Sequence, residues 1–400
     1  VPGTEKIGSD LGFLELINVM GGGALKNFSI FALGVSPYIT ASIIMQLLQM
    51  DVIPYFSELN KQGPTGRQKI NQITRYVGIA FAFIEGYAFS FAFLGNTGTV
   101  GEYIYISTVL TAGTAFLLWL GDQITNKGIG NGISVIIFAG IVSGLPRGLV
   151  TLWNLIMPST GFSTVGLITA IAIIVGAIIL VAGVVFVQQA ERRIPIQYAK
   201  KVVGRKMYGG QNTHLPLKLA MAGVMPVIFA SSFMTFPAML IQIFAADAIA
   251  SGTGFLYGLY QFSIATSTSS VPWGYSLANA IVYLLLIVGF TFFYTYATFN
   301  PAEVSNNIKK NGGFIPGIRP GADTEKYITK VLSRLTFVGG LFIAIIAAIP
   351  IIFSLISGLE SASAIAGTSL LIVVGVALET YKQLEGSLVS RNYKKGYSRR

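Results

Sequence analysis

Long apolar runs separated by short polar or basic segments set the rhythm of this chain. Stretches near 32–50, 76–94, 103–120, 131–145, 164–188, 219–245, 276–299, 335–356 and 362–380 are apolar enough to cross about 30 Å of hydrocarbon as helices. Nine spans are predicted, the fourth of them short, behind the turn Gly128-Ile-Gly-Asn-Gly132. In lipid a helix satisfies its own backbone, so an unbroken apolar run has little choice of structure. Residues from about 14 to 30 are also apolar but are interrupted by Gly21, Gly22 and Gly23, too often for a span.

Two of these runs share a motif. Gly34-Val-Ser-Pro-Tyr-Ile-Thr-Ala-Ser42 returns 189 positions later as Gly223-Val-Met-Pro-Val-Ile-Phe-Ala-Ser231, identical at six of nine places. Each proline lacks a backbone donor and is expected to free the carbonyl four residues earlier, that of Leu33 or Ala222. Matching Gly/Pro-interrupted segments in two halves of a membrane protein point to a central translocation site. Five crossings separate the copies, so they run in opposite directions, as an inverted duplication requires. The expected organisation is an all-α polytopic bundle of two inverted pseudo-symmetric halves, 1–155 and 156–381, followed by a basic tail over 382–400. The first half shows four spans and the second five, so one span is expected upstream of Val1.

Composition agrees with the pattern. Hydrophobic residues make up 53% and charged residues 11%, against roughly 25% charged in soluble domains, which excludes a water-soluble globule. The net charge of +11 would suggest nucleic acid in a soluble protein. Here it follows from topology. With the N-terminus outside and nine crossings, all of the 27 Lys and Arg residues except Lys6, Lys26 and Arg147 fall on the cytoplasmic side, and the positive-inside rule puts the C-terminus in the cytoplasm. Cysteine is absent, which removes disulfides, thiolate metal sites and Cys nucleophiles. His214 is the single histidine and sits in a basic loop, so neither a buried Ser-His pair nor an HExxH zinc site can be built. No phosphate-binding G-x-x-x-x-G-K-[ST] loop occurs, and Gly128–Gly132 lacks the strand-turn-helix setting of a dinucleotide site. No catalytic residue, metal or cofactor is expected, and the chain does not read as an enzyme. One charge lies deep in a span, Glu85, a candidate for a polar helix interface.

The residues Gly22-Gly-Ala-Leu-Lys-Asn-Phe-Ser-Ile-Phe-Ala-Leu-Gly-Val-Ser-Pro-Tyr-Ile-Thr-Ala-Ser-Ile-Ile-Met-Gln-Leu-Leu48 resemble the plug and second span of the SecY family, the channel subunits of the bacterial Sec translocon. Gly66-Arg-Gln-Lys-Ile-Asn-Gln-Ile-Thr-Arg-Tyr76, Gly128-Ile-Gly-Asn-Gly-Ile-Ser134, Thr213-His-Leu-Pro-Leu-Lys218 and Phe314-Ile-Pro-Gly-Ile-Arg-Pro-Gly321 resemble the same family in the same order. The resemblance covers nearly the whole chain. It departs at the start, where Val1-Pro-Gly3 is similar to the sequence just after the family's first span.

The resemblance implies an hourglass pore with aliphatic side chains at its waist, carried here by Val35, Ile39, Ile137, Ile141, Ile228 and Ile372. Such a ring blocks ions by dewetting yet yields to a passing chain. It also implies a plug over 14–30 hinged at Gly21–Gly23, and a lateral gate beside the first and sixth visible spans, with Glu85, Ser42 and Ser232 along the seam. Two long loops, 189–218 and 300–334, would dock a SecA motor or a ribosome through Arg192, Arg193, Lys200, Lys201, Arg205, Lys206, Lys309, Lys310 and Arg319. Basic clusters suit acidic protein surfaces and RNA phosphates alike. Implied partners are SecE-like and SecG-like small subunits, signal-sequence-bearing polypeptides and lipid, at the bacterial plasma membrane. The alternative from the residues alone is an inverted-repeat secondary transporter for a small neutral substrate, which would need polar coupling-ion ligands at the broken helices. Those places hold Val35, Ile39, Ile228 and Ser232.

Overall fold

The computed structural model describes residues 24, 29–49, 53–94, 99–158, 163–198, 201–203, 206–208, 212–245, 252–265, 272–357 and 368–397. The first half holds α1 (Ser36–Leu47), α2 (Pro54–Lys61), α3 (Pro64–Leu94), α4 (Val100–Lys127) and α5 (Gly132–Ile156). After α6 (Thr164–Gln189) come four strands, β1 (Glu191–Tyr198), β2 (Lys201–Val203), β3 (Lys206–Tyr208) and β4 (Asn212–Lys218). The rest is α7 (Met225–Phe244), α8 (Phe255–Ile264), α9 (Trp273–Thr298), α10 (Pro301–Lys310), β5 (Gly313–Phe314), α11 (Ala322–Ser357) and α12 (Thr368–Tyr397).

Each of the nine apolar stretches is a helix: α1, α3, α4, α5, α6, α7, α9, α11 and α12. Among the described residues, the five helices starting at Val100, Gly132, Thr164, Trp273 and Ala322 are long and apolar enough alone to cross a membrane. On α6, Val165, Ile168, Ile171, Ile178 and Phe186 are all largely exposed, a surface that lipid covers.

Three features of the fold differ from the expectation. The fourth span is not short: α5 has 25 residues and carries Pro146 in its interior, so the segment between the two halves starts only after Ile156. Pro146 cannot bond the carbonyl of Val142, a loss tolerated because the rest of the helix satisfies its own backbone. Neither repeat proline breaks a helix. Pro37 and Pro226 stand in the first turn of α1 and α7, where a missing N–H costs nothing, and the Leu33 carbonyl accepts from the Ser36 N–H at 3.3 Å. Finally, the long loops carry strands and a short helix that the sequence did not predict. Strand β1 pairs antiparallel with β4 from Glu191↔Lys218 to Gln197↔Asn212 and with β5 at Gln197↔Phe314, giving a sheet ordered β4-β1-β5. Ile194, Ile196 and Leu217 of this sheet pack with Ile308, Ile315 and Ile328 in a small core of their own.

Helix packing repeats between the halves. In the first, α1 packs on α3, α3 on α4 and α4 on α5; in the second, α7 packs on α9, α9 on α11 and α11 on α12. The halves meet along two lines. On one, α5 touches α6 and α12; on the other, α1 and α3 touch α7.

A sealed waist beneath a polar vestibule

The two repeat copies fold alike. Gly34 and Gly223 have φ of 56° and 59°, a left-handed conformation that glycine adopts without strain. The valine that follows each glycine caps a helix, and its carbonyl accepts from the isoleucine four residues on: Ile39 to Val35 at 3.2 Å, Ile228 to Val224 at 3.4 Å. A left-handed glycine, a capping valine and a first-turn proline thus deliver Ile39 and Ile228 at the same point of two helices that touch.

The third member is aimed by the glycine turn. Gly130 has φ of 90°, the Asn131 side chain accepts from the N–H groups of Ile133 and Ser134 at 3.1 and 3.5 Å, and the Gly132 N–H donates to Thr125 at 2.8 Å. A side chain on Gly132 would collide with the Gly121 carbonyl of α4. The turn therefore starts α5 against α4, and Ile137 and Ile141, one turn apart, share a face. On α12, Gly375 lets the backbone approach Val224, whose side chain a methyl there would strike.

All six expected waist residues are buried, between 2% and 6% exposed, and all belong to one apolar cluster. The cluster also contains Val224 and Val376, which the sequence reading did not single out. Val224 is the repeat equivalent of Val35, so the 189-residue offset already held the signal. With them the cluster holds four pairs about one helical turn apart in sequence, Val35/Ile39, Ile137/Ile141, Val224/Ile228 and Ile372/Val376.

A cavity of about 380 Å³ opens at the sheet end of the bundle and ends on Ile228. Its wall is mixed, with Asn131, Gln188, Lys218, Glu379 and Lys382 beside Ala220, Val224 and Val376.

The three residues expected at the seam stand on helices that touch, Ser42 on α1, Glu85 on α3 and Ser232 on α7. Ser42 and Ser232 are half-buried. Glu85 is only 4% exposed and sits one heptad beyond Gly78, the point where α3 packs against Tyr38 of α1, so it shares the face of α3 turned toward α1. An ion pair not foreseen from sequence, Arg75 to Asp122 at 2.7 Å, ties α3 to α4. Both groups lie near the same ends of consecutive antiparallel spans, a pattern that was readable.

Around the sheet, Arg192, Arg193, Lys309, Lys310 and Arg319 are exposed. Arg193 pairs with Glu191 at 2.7 Å. The segment bearing Arg319 is pinned at both ends: Ser305 donates to the Gly321 carbonyl at 2.8 Å and Thr324 to the Arg319 carbonyl at 2.9 Å. The Lys309 ammonium lies against Gly321, which brings a second cation to the same turn. Lys201 and Lys206 belong to the β2–β3 hairpin. Lys200, Arg205, the plug hinge Gly21–Gly23 and most of the 14–30 segment lie outside the described residues.

Two inverted helical halves meet around a buried aliphatic cluster. The sequence model of the family described as SecY matches residues 29–381, and the chain belongs to that family. It is 50% identical over 409 residues to the protein translocase subunit SecY of Halalkalibacterium halodurans, covering 98% of this chain and 91% of that one. Among solved structures it is similar to one described as a protein conducting channel, at 22% identity and TM-score 0.67, covering 98% of this chain and 88% of that one. It is also similar to Sec61 from the canine ribosome-channel complex of the endoplasmic reticulum, at 22% identity and TM-score 0.64, with the same coverage. The chain is a protein-conducting channel subunit, and the secondary-transporter alternative is set aside.

Proposed function

We propose that the seal of this channel is the collar formed by Val35, Ile39, Ile137, Ile141, Ile228 and Ile372, with the segment 14–30, hinged at Gly21–Gly23, closing it from the outer side. The observation that carries this reading is the burial of all six in one apolar cluster, with Ile228 also lining the mixed cavity. Unfolded polypeptides pass through the collar, and hydrophobic segments leave sideways where α1 and α3 meet α7. The halves 1–155 and 156–381 part along that line; the tail 382–400 stays in the cytoplasm.

The channel is passive and not an enzyme; a partner supplies the energy. The exposed cations around the sheet form the docking face for a SecA-like motor or a ribosome, as the canine relative's complex suggests, with SecE-like and SecG-like subunits alongside. The bacterial plasma membrane is the expected location, with the sheet end and the C-terminus in the cytoplasm.

Ile228→Asn and Ile372→Asn test the collar. An amide there hydrates the waist, and resting ion conductance rises about tenfold, equivalent to about 1.4 kcal/mol, with proteins bearing defective signal sequences now exported. Unchanged conductance and unchanged signal stringency in both variants would sink the assignment.

A further inference from the structure

The offset of 189 reaches beyond the repeated nonamer, into contacts that leave no trace in its residues. Gly113 of α4 lies under the carbonyl of Ile30, so closely that a Cβ at Gly113 would fall inside the oxygen. Gly339 of α11 lies in the same way under the carbonyl of Leu219. Ile30 and Leu219 differ in side chain but stand 189 positions apart, each four residues before the left-handed glycine of its copy. In both places the glycine hydrogen that replaces a Cβ points at the oxygen, a Cα–H···O contact of the kind found where helices pack closely.

We propose that Gly113 and Gly339 are the two seats on which the broken turns rest, and that they set the position of the collar residues borne by α1 and α7. The inference builds on the collar reading above. From each seat the chain runs through one tight turn to the collar. The Gly34 N–H donates to the Phe31 carbonyl at 2.9 Å and the Gly223 N–H to the Ala220 carbonyl at 3.2 Å. Val35 and Val224 follow at once. Because both turns are fixed by hydrogen bonds and by a left-handed glycine, a push at Ile30 or Leu219 is carried to the capping valine rather than absorbed. The contacts are between backbone atoms, so no rotamer change can relieve a methyl placed on either seat. These glycines touch no translocating chain; they are positioning residues.

Gly113→Ala and Gly339→Ala test the proposal, each in the complete channel with its partner subunits. Gly101→Ala on α4 and Gly289→Ala on α9, where a Cβ meets nothing, are the controls. All four changes raise helix propensity. Two readouts are taken: resting conductance, and the rate of crosslinking between Ile39→Cys and Ile228→Cys in this cysteine-free chain. The seat variants should accumulate, leak several-fold more than the controls and crosslink several-fold more slowly. Crosslinking reports collar position alone: if it slows while Ile228→Asn itself fails to leak, the seats stand and the collar reading falls. Crosslinking at the control rate in both seat variants overturns the seats whatever the conductance does. If one variant does not accumulate, the other carries the test on its own half. Loss of both, with normal controls, also overturns the proposal and leaves the glycines a packing role only.

Discussion

The proposed collar and the proposed docking face are built by different physics. At the collar every side chain is aliphatic and buried, and position comes from backbone: left-handed glycines, a capping asparagine and close helix contacts. At the docking face the groups that matter are exposed cations, and position comes from side-chain hydrogen bonds, Ser305 to Gly321 and Thr324 to Arg319. A seal must reject ions without recognising any chain, so it needs shape and dryness and no donors. A docking turn must recognise one partner, so it needs fixed charge. Substitutions at the two sites should therefore differ in kind: at the collar they change leakage and stringency, at the turn they change drive.

Arg319→Glu gives the largest contrast. It removes a planar donor fork and sets a like charge against an acidic or phosphate partner. The channel should insert normally and seal normally while motor-driven translocation collapses. Translocation at the parent rate would make Arg319 a topogenic charge and dissolve the distinction between the regions.

A smaller but still clear effect is expected at the seam. Ser42→Cys with Ser232→Cys puts two thiols on α1 and α7, helices that touch, in a background without other cysteines. Crosslinking with short reagents should stop the lateral exit of hydrophobic segments and leave motor binding untouched. Failure to crosslink at any reagent length, or crosslinking that also abolishes motor binding, would break the separation of gate from docking face.

How far the sequence was legible follows the same division. The collar assignment came from the family resemblance, and the prolines start their helices instead of interrupting them, but the repeat itself, with its shared glycine, valine, proline and isoleucine, was readable. The seats at Gly113 and Gly339 were not, since a glycine in an apolar helix gives no hint of which carbonyl it will meet. The docking face was readable as charge but not as fold. The run Glu191-Arg-Arg-Ile-Pro-Ile-Gln-Tyr198 has only two inward apolar positions, Ile194 and Ile196, and a proline between them argues against a central strand. Pro195 is tolerated because β5 reaches only as far as Gln197, so at Pro195 the strand is paired on one side alone. That exemption belongs to a partner more than a hundred residues away. The helix α10 was equally hidden, although Asn300 accepts from the N–H groups of Ala302 and Glu303 at 3.1 and 3.4 Å and Lys309 and Lys310 end it, a start and stop that are legible only once a helix is suspected in a basic loop.

The smallest predicted effect is the most informative about the gate. Glu85 is a buried carboxyl on α3, a helix that touches both α1 and α7, and holding it buried costs free energy that hydration would return if the seam opens there. Leucine fills a similar volume without that cost. Glu85→Leu should therefore favour the closed seam by about 1 kcal/mol, within the range measured for polar contacts between membrane helices. In export assays this appears as tightened signal stringency, weak signal sequences losing about fivefold while strong ones are unaffected. Glu85→Gln keeps the polar group and should stay near the parent. Export of weak-signal substrates that rises in Glu85→Leu would show that the carboxyl braces the closed seam by hydrogen bonding, and would move Glu85 from the physics of the collar to that of the docking turn.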